Sequence, residues 1–300
     1  MNLEPPLPPP RGRRPFLRGC AVVALVFVAF FVLIVLLSHV DDWSLQTGEK
    51  VAVLPVTGMI ADSEATIEQL KKFAKDDSIK AIVIRINSPG GGVGPSQEIY
   101  EEVKKLKGKK IVLASMGALA ASGGYYIACG TQKIYANPGT ITGSIGVIMN
   151  FVNVKELIEK IGLKGMVVKS GAFKDIGSPV REMKPEEREL LQGVIDNVHS
   201  QFIAAVAEGR KMDRESVARI ADGRIFSGEQ AKALGLVDAL GNLEDAVADA
   251  GKLAKIPGEP RVVTPSKKKL SILELLKEEA KSIIGDKLTE QRLRIDYLAQ

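Results

Sequence analysis

Ala120-Ala121-Ser122-Gly123-Gly124-Tyr125-Tyr126 is the stretch on which the reading of this chain turns. A single hydroxyl sits among residues with almost no side chain. A short apolar run (Ile111 to Ala114) precedes it, and a second, which reads as a helix (Tyr125 to Cys129), follows. The pattern predicts a strand-to-helix junction at Ser122. The first N–H groups of a helix lack internal partners, and the helix dipole adds positive potential at the same end. Two readings follow. Ser122 caps the helix, as serine commonly does, or it is a nucleophile whose own surroundings stabilise an oxyanion.

Outward from that junction, strands and helices alternate. Upstream, Val51 to Val56 reads as a strand, residues 64–75 as a helix, and Ile79 to Ile86 as a nearly continuous aliphatic strand of the kind buried on both faces of a parallel sheet. It runs into Asn87-Ser-Pro-Gly-Gly-Gly-Val-Gly94, after which Pro95 to Leu106 reads as a helix with proline at its start. Downstream come a strand (Lys133 to Ala136), the loop Thr140 to Gly146, a helix (153–161), a strand (Gly165 to Lys169), a loop (Ser170 to Met183) and a long helix from Pro185 to about Glu208. Two further helical stretches occupy residues 213–257. The alternation predicts an α/β fold with a mostly parallel sheet. Ligands in such sheets lie at the carboxyl ends of strands, where all three glycine-rich loops fall.

The two ends differ from the middle. Residues 1–18 are rich in proline and arginine, and Cys20 to Leu37 is an uncharged run long enough to span a bilayer. Four arginines precede that run and Asp41 and Asp42 follow it, so the positive-inside rule puts the N-terminus in the cytoplasm and the rest across the membrane. A cleaved signal peptide is the competing reading, but the run is longer than a usual h-region and no Ala-x-Ala site follows. The expected organisation is a cytoplasmic arm (1–18), a transmembrane anchor (19–40), a globular domain (48–257), and a linker with an amphipathic tail (258–300). In the tail, Ser271-x-x-Glu274 forms a capping box ahead of apolar positions at helical spacing. The net charge of +5 and pI near 9.0 belong to the two ends, which argues against nucleic-acid binding. Of the two cysteines, Cys20 opens the membrane-length run and Cys129 lies in the globular part, so no disulfide is expected between them.

A serine nucleophile needs a base. His39 lies at the membrane edge and His199 among polar residues inside the long helix, so a Ser-His-Asp triad is weakly supported. The other workable base is a lysine. It must be uncharged when it takes the proton, which means lowering a pKa of about 10.4 toward 7–8 by burial. Lys174 sits in the glycine-containing loop Ser170-Gly-Ala-Phe-Lys174-Asp-Ile-Gly, with Lys169 as the alternative. Asp175 beside it would raise a lysine pKa unless it points elsewhere. Gly90-Gly91-Gly92 fits neither a dinucleotide nor a P-loop pattern. Its N–H groups suit an oxyanion hole and the alignment of an extended substrate by strand addition. No metal-ligand spacing of Cys, His, Asp or Glu appears, and no cofactor is expected.

Taken together, Asn87-Ser-Pro-Gly-Gly, Ala121-Ser122-Gly-Gly-Tyr-Tyr, Thr142-Gly-Ser144-Ile-Gly-Val and Ser170-Gly-x-x-Lys174-Asp resemble the signal peptide peptidase A family of membrane-anchored serine proteases, in its short single-repeat form. The resemblance covers about residues 50–250, with Gly223-Arg-Ile-Phe-Ser-Gly-Glu-Gln-Ala and Gly235-Leu-Val-Asp238 as a further matching block. It implies a Clp/crotonase-like fold with Ser122 as nucleophile and Lys174 as general base. Ser144 would orient the lysine, and the N–H groups of Gly123 and Gly91 would form the oxyanion hole. It also implies a ring or dome homo-oligomer that degrades apolar peptides such as cleaved signal peptides at the outer face of the membrane. The rival readings are a crotonase-type acyl-CoA enzyme and an inactive peptide-binding scaffold. Residues Arg292 to Leu298 could add to the groove as a strand and be trimmed there.

Overall fold

β-Branched and aliphatic residues dominate Lys50–Thr57 (β1) and Ile79–Ser88 (β2), and neither strand alternates apolar with polar. Both are covered on their two faces, and each face buries a separate cluster. Leu54, Ile82, Ile84 and Ile86 face one side, and Val51, Val53, Val83 and Leu113 the other. The computed structural model describes residues 25–26, 28–30, 48–265 and 296–298. Two compact units divide the chain at Gly48/Glu49. Among the described residues no helix is long and apolar enough to cross a membrane, and the expected anchor at 19–40 falls almost wholly outside them. The tail helix expected near Ser271 also lies outside the described residues.

In the second unit, β1 is followed by Glu64–Lys75 (α1), then β2, the short strand Gly90–Gly92 (β3), Val93–Leu106 (α2) and Ile111–Ala121 (β4). Gly123–Cys129 (α3), Lys133–Ala136 (β5), Ile141–Gly143 (β6), Lys155–Lys160 (α4) and Pro185–Arg210 (α5) come next. Then follow Arg214–Ala218 (α6), Ile225–Ser227 (β7), Gly228–Ala233 (α7), Ala239–Leu240 (β8), Leu243–Leu253 (α8), Arg261–Val263 (β9) and Asp296–Leu298 (β10). Eight strands form one sheet along the path β7-β6-β4-β2-β1-β9, with β5 and β8 attached beside β4. All pairings in it are parallel except β6 with β7. The expected α/β class with a mostly parallel sheet and flanking helices is what is found.

The long strand β4 organises the site because it has two partners on one edge. Leu113–Ser115 pair with β5, while Leu119–Ala121 pair with β6. The sheet therefore splits just before Ser122. Helix α3 is wholly buried and leaves β4 at that point, anchored by the Tyr125 hydroxyl donating to Leu236 O at 2.9 Å.

Several elements depart from the sequence reading. The strand into Ser122 runs seven residues beyond Ala114, because Ser115, Met116 and Ala120 continue the pairing with β2 and Leu119–Ala121 pair with β6. The loop Thr140 to Gly146 contains β6. The stretch read as a linker contributes β9, which pairs parallel with β1. Gly165 to Lys169 is not a strand: among the described residues no strand pairs with it, and Met166 and Val168 are 92% and 104% exposed.

Candidate active site

Ser122 has φ 53° and ψ −118°, a backbone conformation that side-chain-bearing residues rarely adopt. Such strain costs about 1–3 kcal/mol and persists only where the surroundings hold it. Here the Ser122 N–H donates to Gly143 O at 2.9 Å, and Tyr126 N–H donates to Ser122 O at 2.8 Å to start α3. The residue is fully buried, and its Oγ has no hydrogen-bond partner. It makes no side-chain cap to the helix. The capping reading is therefore wrong. A buried hydroxyl without a partner costs about 1–3 kcal/mol, so this position combines two unfavourable features at one serine.

The glycines beside Ser122 admit no substituent. A Cβ on Gly123 would overlap Ser96 Oγ and lie 3.3 Å from Gly91 N, which puts the Gly91 amide beside the start of α3. Gly91 has φ +157°, and a Cβ there would overlap the Ile60 carbonyl. Ile60 grips this turn from one side: its N–H donates to Gly90 O at 2.9 Å, and its carbonyl accepts from Gly92 N–H at 2.8 Å. Because successive peptide groups alternate in direction along extended chain, the Gly91 amide and carbonyl face the opposite side. Ser88 Oγ accepts from Gly90 N–H at 3.1 Å and Ser96 Oγ donates to Gly92 O at 2.8 Å, closing the turn at both ends. Sequence reasoning found Gly91 and Gly123 but not Ser88, Ser96 or Ile60. Ser88, within the quoted Asn-Ser-Pro-Gly-Gly motif, is the only one of the three that carried a signal.

On its free side β3 already carries a strand. β10 lies antiparallel to it, with Tyr297 opposite Gly91, Asp296 opposite Gly92 and Leu298 opposite Gly90. It also touches α3.

Ser144, buried and with a positive φ of 49°, follows β6 directly. Its N–H donates to Arg224 O at 2.8 Å, and Gly223 N–H donates to Ile145 O at 3.1 Å. The Gly223-Arg-Ile-Phe-Ser block thus acts as a brace for the Ser144 turn, through β7 paired on β6. A cavity of about 310 Å³ opens beside it, lined by Ser144, Val147, Ile148, Asp222, Gly223 and Ile225.

Lys174 lies in a run of turns, with its N–H donating to Gly171 O at 3.2 Å, and its side chain is exposed. Since Ser122 Oγ has no partner, the Lys174 amine does not reach it within one chain. Lys169, the alternative base, is committed to an ion pair with Asp175. Asp175 also accepts from Arg181 Nε at 2.8 Å. Its carboxyl is held well below the ordinary range, first by Arg181 and then by Lys169. The acid adjacent to Lys174 in sequence is thus occupied elsewhere. Among the described residues no group of His, Cys, Asp or Glu could hold a metal ion. His199 Nε2 is buried without a partner, on helix α5.

Comparison with known proteins agrees with this arrangement. Residues 104–257 match the model of peptidase family S49, and residues 48–141 match that of Clp protease. A candidate protease of Synechocystis sp. is 49% identical over 211 residues, covering 70% of this chain and 76% of that protein. A candidate signal peptide peptidase SppA of Enterococcus faecium is 39% identical over 236 residues, covering 73% of this chain and 69% of that protein. The chloroplastic serine protease SPPA of Arabidopsis thaliana is 35% identical over 235 residues, 77% of this chain but 35% of that protein. A strained serine at the split of a Clp-like sheet, a glycine turn facing it and these matches lead to one assignment: the chain belongs to peptidase family S49, the signal peptide peptidase A family of proteases.

Proposed function

We propose that the protein is a serine endopeptidase in which Ser122 attacks the scissile carbonyl and Lys174 is the general base. The observation that carries this is the buried Ser122 hydroxyl, strained and without a partner, one residue before Gly123, whose Cβ position lies 3.3 Å from the Gly91 amide nitrogen. Lys174 takes the Ser122 proton as the Oγ–C bond forms and returns it to the leaving amine as the peptide C–N bond breaks. Water then hydrolyses the acyl-enzyme. The oxyanion is held by the Gly123 and Gly91 N–H groups, and Ser144 orients the lysine.

The amine reaches the hydroxyl in a homo-oligomer. Lys174 is carried on a segment whose apolar side chains, Phe151, Leu163, Met166, Val168 and Phe173 among them, are exposed in the single chain. Exposed apolar surface on this scale marks an interaction site, and enclosure in an interface is what base catalysis by lysine requires. Substrate binds as an extended strand along Gly90–Gly92, in the place where β10 lies in this structure. Residues 19–40 anchor the chain with the catalytic unit outside the cytoplasm, so apolar peptides such as signal-peptide remnants are the substrates at hand.

Co-expressing Ser122→Ala and Lys174→Ala chains tests both parts. Each variant alone is inactive on an apolar peptide, and the mixed assembly regains hydrolysis because an intact serine meets a neighbour's intact lysine. Activity in either variant alone rules out the dyad. Mixed assemblies that stay inactive rule out a lysine donated by the neighbour.

A further inference from the structure

The segment that carries Lys174 has little apolar packing of its own, since most of its large side chains are exposed. One guanidinium ties it to the next helix, beside the Lys169–Asp175 ion pair and the turn hydrogen bonds within it. Arg181 Nε donates to Asp175 Oδ2 at 2.8 Å, and its Nη2 donates to the Asp175 carbonyl at 3.0 Å. The two terminal nitrogens donate to both oxygens of Glu187, Nη1 to Oε2 at 2.8 Å and Nη2 to Oε1 at 2.5 Å. Nη1 also donates to Glu182 O at 2.9 Å. All five N–H donors of the fork are thereby satisfied. Glu187 is 1% exposed and sits in the first turn of α5, where its Oε2 also accepts from the Lys184 N–H at 3.0 Å. The far end of the network is thus tied to a 26-residue helix packed against α3.

We infer that Arg181 is a positioning residue for Lys174: it fixes the turn bearing the amine to the start of α5 and holds the Asp175 carboxylate away from that amine. The inference rests on the dyad reading above. A planar, bidentate fork is required because it must grip two carboxylates and two carbonyls at once, which a lysine cannot do. Removing it leaves Glu187 buried without its cation, which the fold tolerates poorly, and leaves Asp175 held by Lys169 alone. None of the hydrogen bonds that Arg181 makes reaches Ser122, the glycine amides or β3, so the effect expected is on the proton-transfer step.

The test uses the full chain as wild type, Arg181→Gln, Lys174→Ala and the double variant. The readouts are kcat and KM on a quenched apolar peptide and the rate at which a fluorophosphonate labels Ser122. Arg181→Gln is expected to lower kcat by about tenfold to hundredfold, the scale of a small misplacement of a catalytic group, with KM within about twofold. In the Lys174→Ala background the same change is expected to alter labelling by less than about twofold, because residues acting through one group are not additive. An undiminished loss in that background, or a raised KM with kcat unchanged, overturns the inference. A Lys174→Ala chain as active as wild type defeats the dyad reading instead, and that protein alone decides it. Should Arg181→Gln fail to assemble, Asp175→Asn keeps the Arg181–Glu187 pair and is expected to show a smaller kcat loss with the same non-additivity. Wild-type kcat in Asp175→Asn overturns the inference.

Discussion

Ser122→Ala is expected to make the protein more stable while abolishing its activity. The wild-type residue is fully buried, its hydroxyl lacks a partner and its φ is 53°. Alanine removes the unsatisfied oxygen but keeps a Cβ, so it recovers about 1–3 kcal/mol from the hydroxyl and nothing from the backbone. Ser122→Gly recovers the backbone strain as well, about 1–3 kcal/mol, offset by roughly 0.5–1 kcal/mol for the freedom glycine gains when unfolded. If a neighbour's Lys174 bonds the hydroxyl in the assembly, part of the first gain is masked. The comparison is therefore made in a Lys174→Ala background as well as in wild type. Chemical or thermal denaturation at fixed protomer concentration is the assay. Each kcal/mol moves Tm by roughly 2–4 °C in a domain of this size. An alanine variant no more stable than its Lys174→Ala parent refutes the unsatisfied-hydroxyl reasoning. A smaller gain in the wild-type background than in the Lys174→Ala background measures the Ser122–Lys174 hydrogen bond itself.

Three other outcomes follow from the same geometry. Gly91→Ala places a methyl against the Ile60 carbonyl, so the turn must shift. Losing one oxyanion donor lowers kcat by about 10²–10³, while circular dichroism stays native. Glu187 is held at about 2, below its ordinary 4.5, first by Arg181 and then by the Lys184 N–H. Its contribution is therefore complete above pH 4.5 and lost as pH falls through 2. Protection factors for hydrogen exchange of residues 175–190, each taken against the intrinsic rate at the same pH, should stay high at pH 5 and fall toward pH 2. In Arg181→Gln the fall should begin at higher pH. Because β10 lies on β3, where substrate is proposed to add as a strand, intact mass is expected to show a trimmed C-terminus in wild type and an untrimmed one in Ser122→Ala. Equal masses contradict self-trimming.

Much of the fold was legible because continuous aliphatic runs such as Ile79 to Ile86 leave few alternatives to a buried parallel strand. Helix limits were close where the amphipathic stripe was clean, as in α1, which spans Glu64–Lys75. What escaped the reading depends on partners distant in sequence. The last seven residues of β4 contain Gly117 and three alanines, weak strand formers that are strands because β2 and β6 flank them. Gly165 to Lys169 has strand composition, yet among the described residues no strand stands beside it. At the site, Ser122 and the glycine turns announced themselves by sparing side chains where close backbone approach is needed. Lys174, the proposed base, stood out only by its glycine-containing loop, because nothing else nearby in sequence separates it from Lys169 or from a solvated lysine. Arg181 was invisible for a related reason: its role lies in the simultaneous reach to Asp175 and Glu187, six residues away on either side. The Gly223 block carried a family resemblance, but its work as a brace for Ser144 is seen only in the β6–β7 pairing.

Peptide mapping after fluorophosphonate treatment of the full-length chain tests the central claim most directly. The account predicts a single adduct, on the peptide that contains Ser122, forming about 10²–10⁴-fold more slowly in Lys174→Ala, the span a general base supplies. An adduct on another serine, or one that forms on Ser122 at an undiminished rate without Lys174, contradicts it.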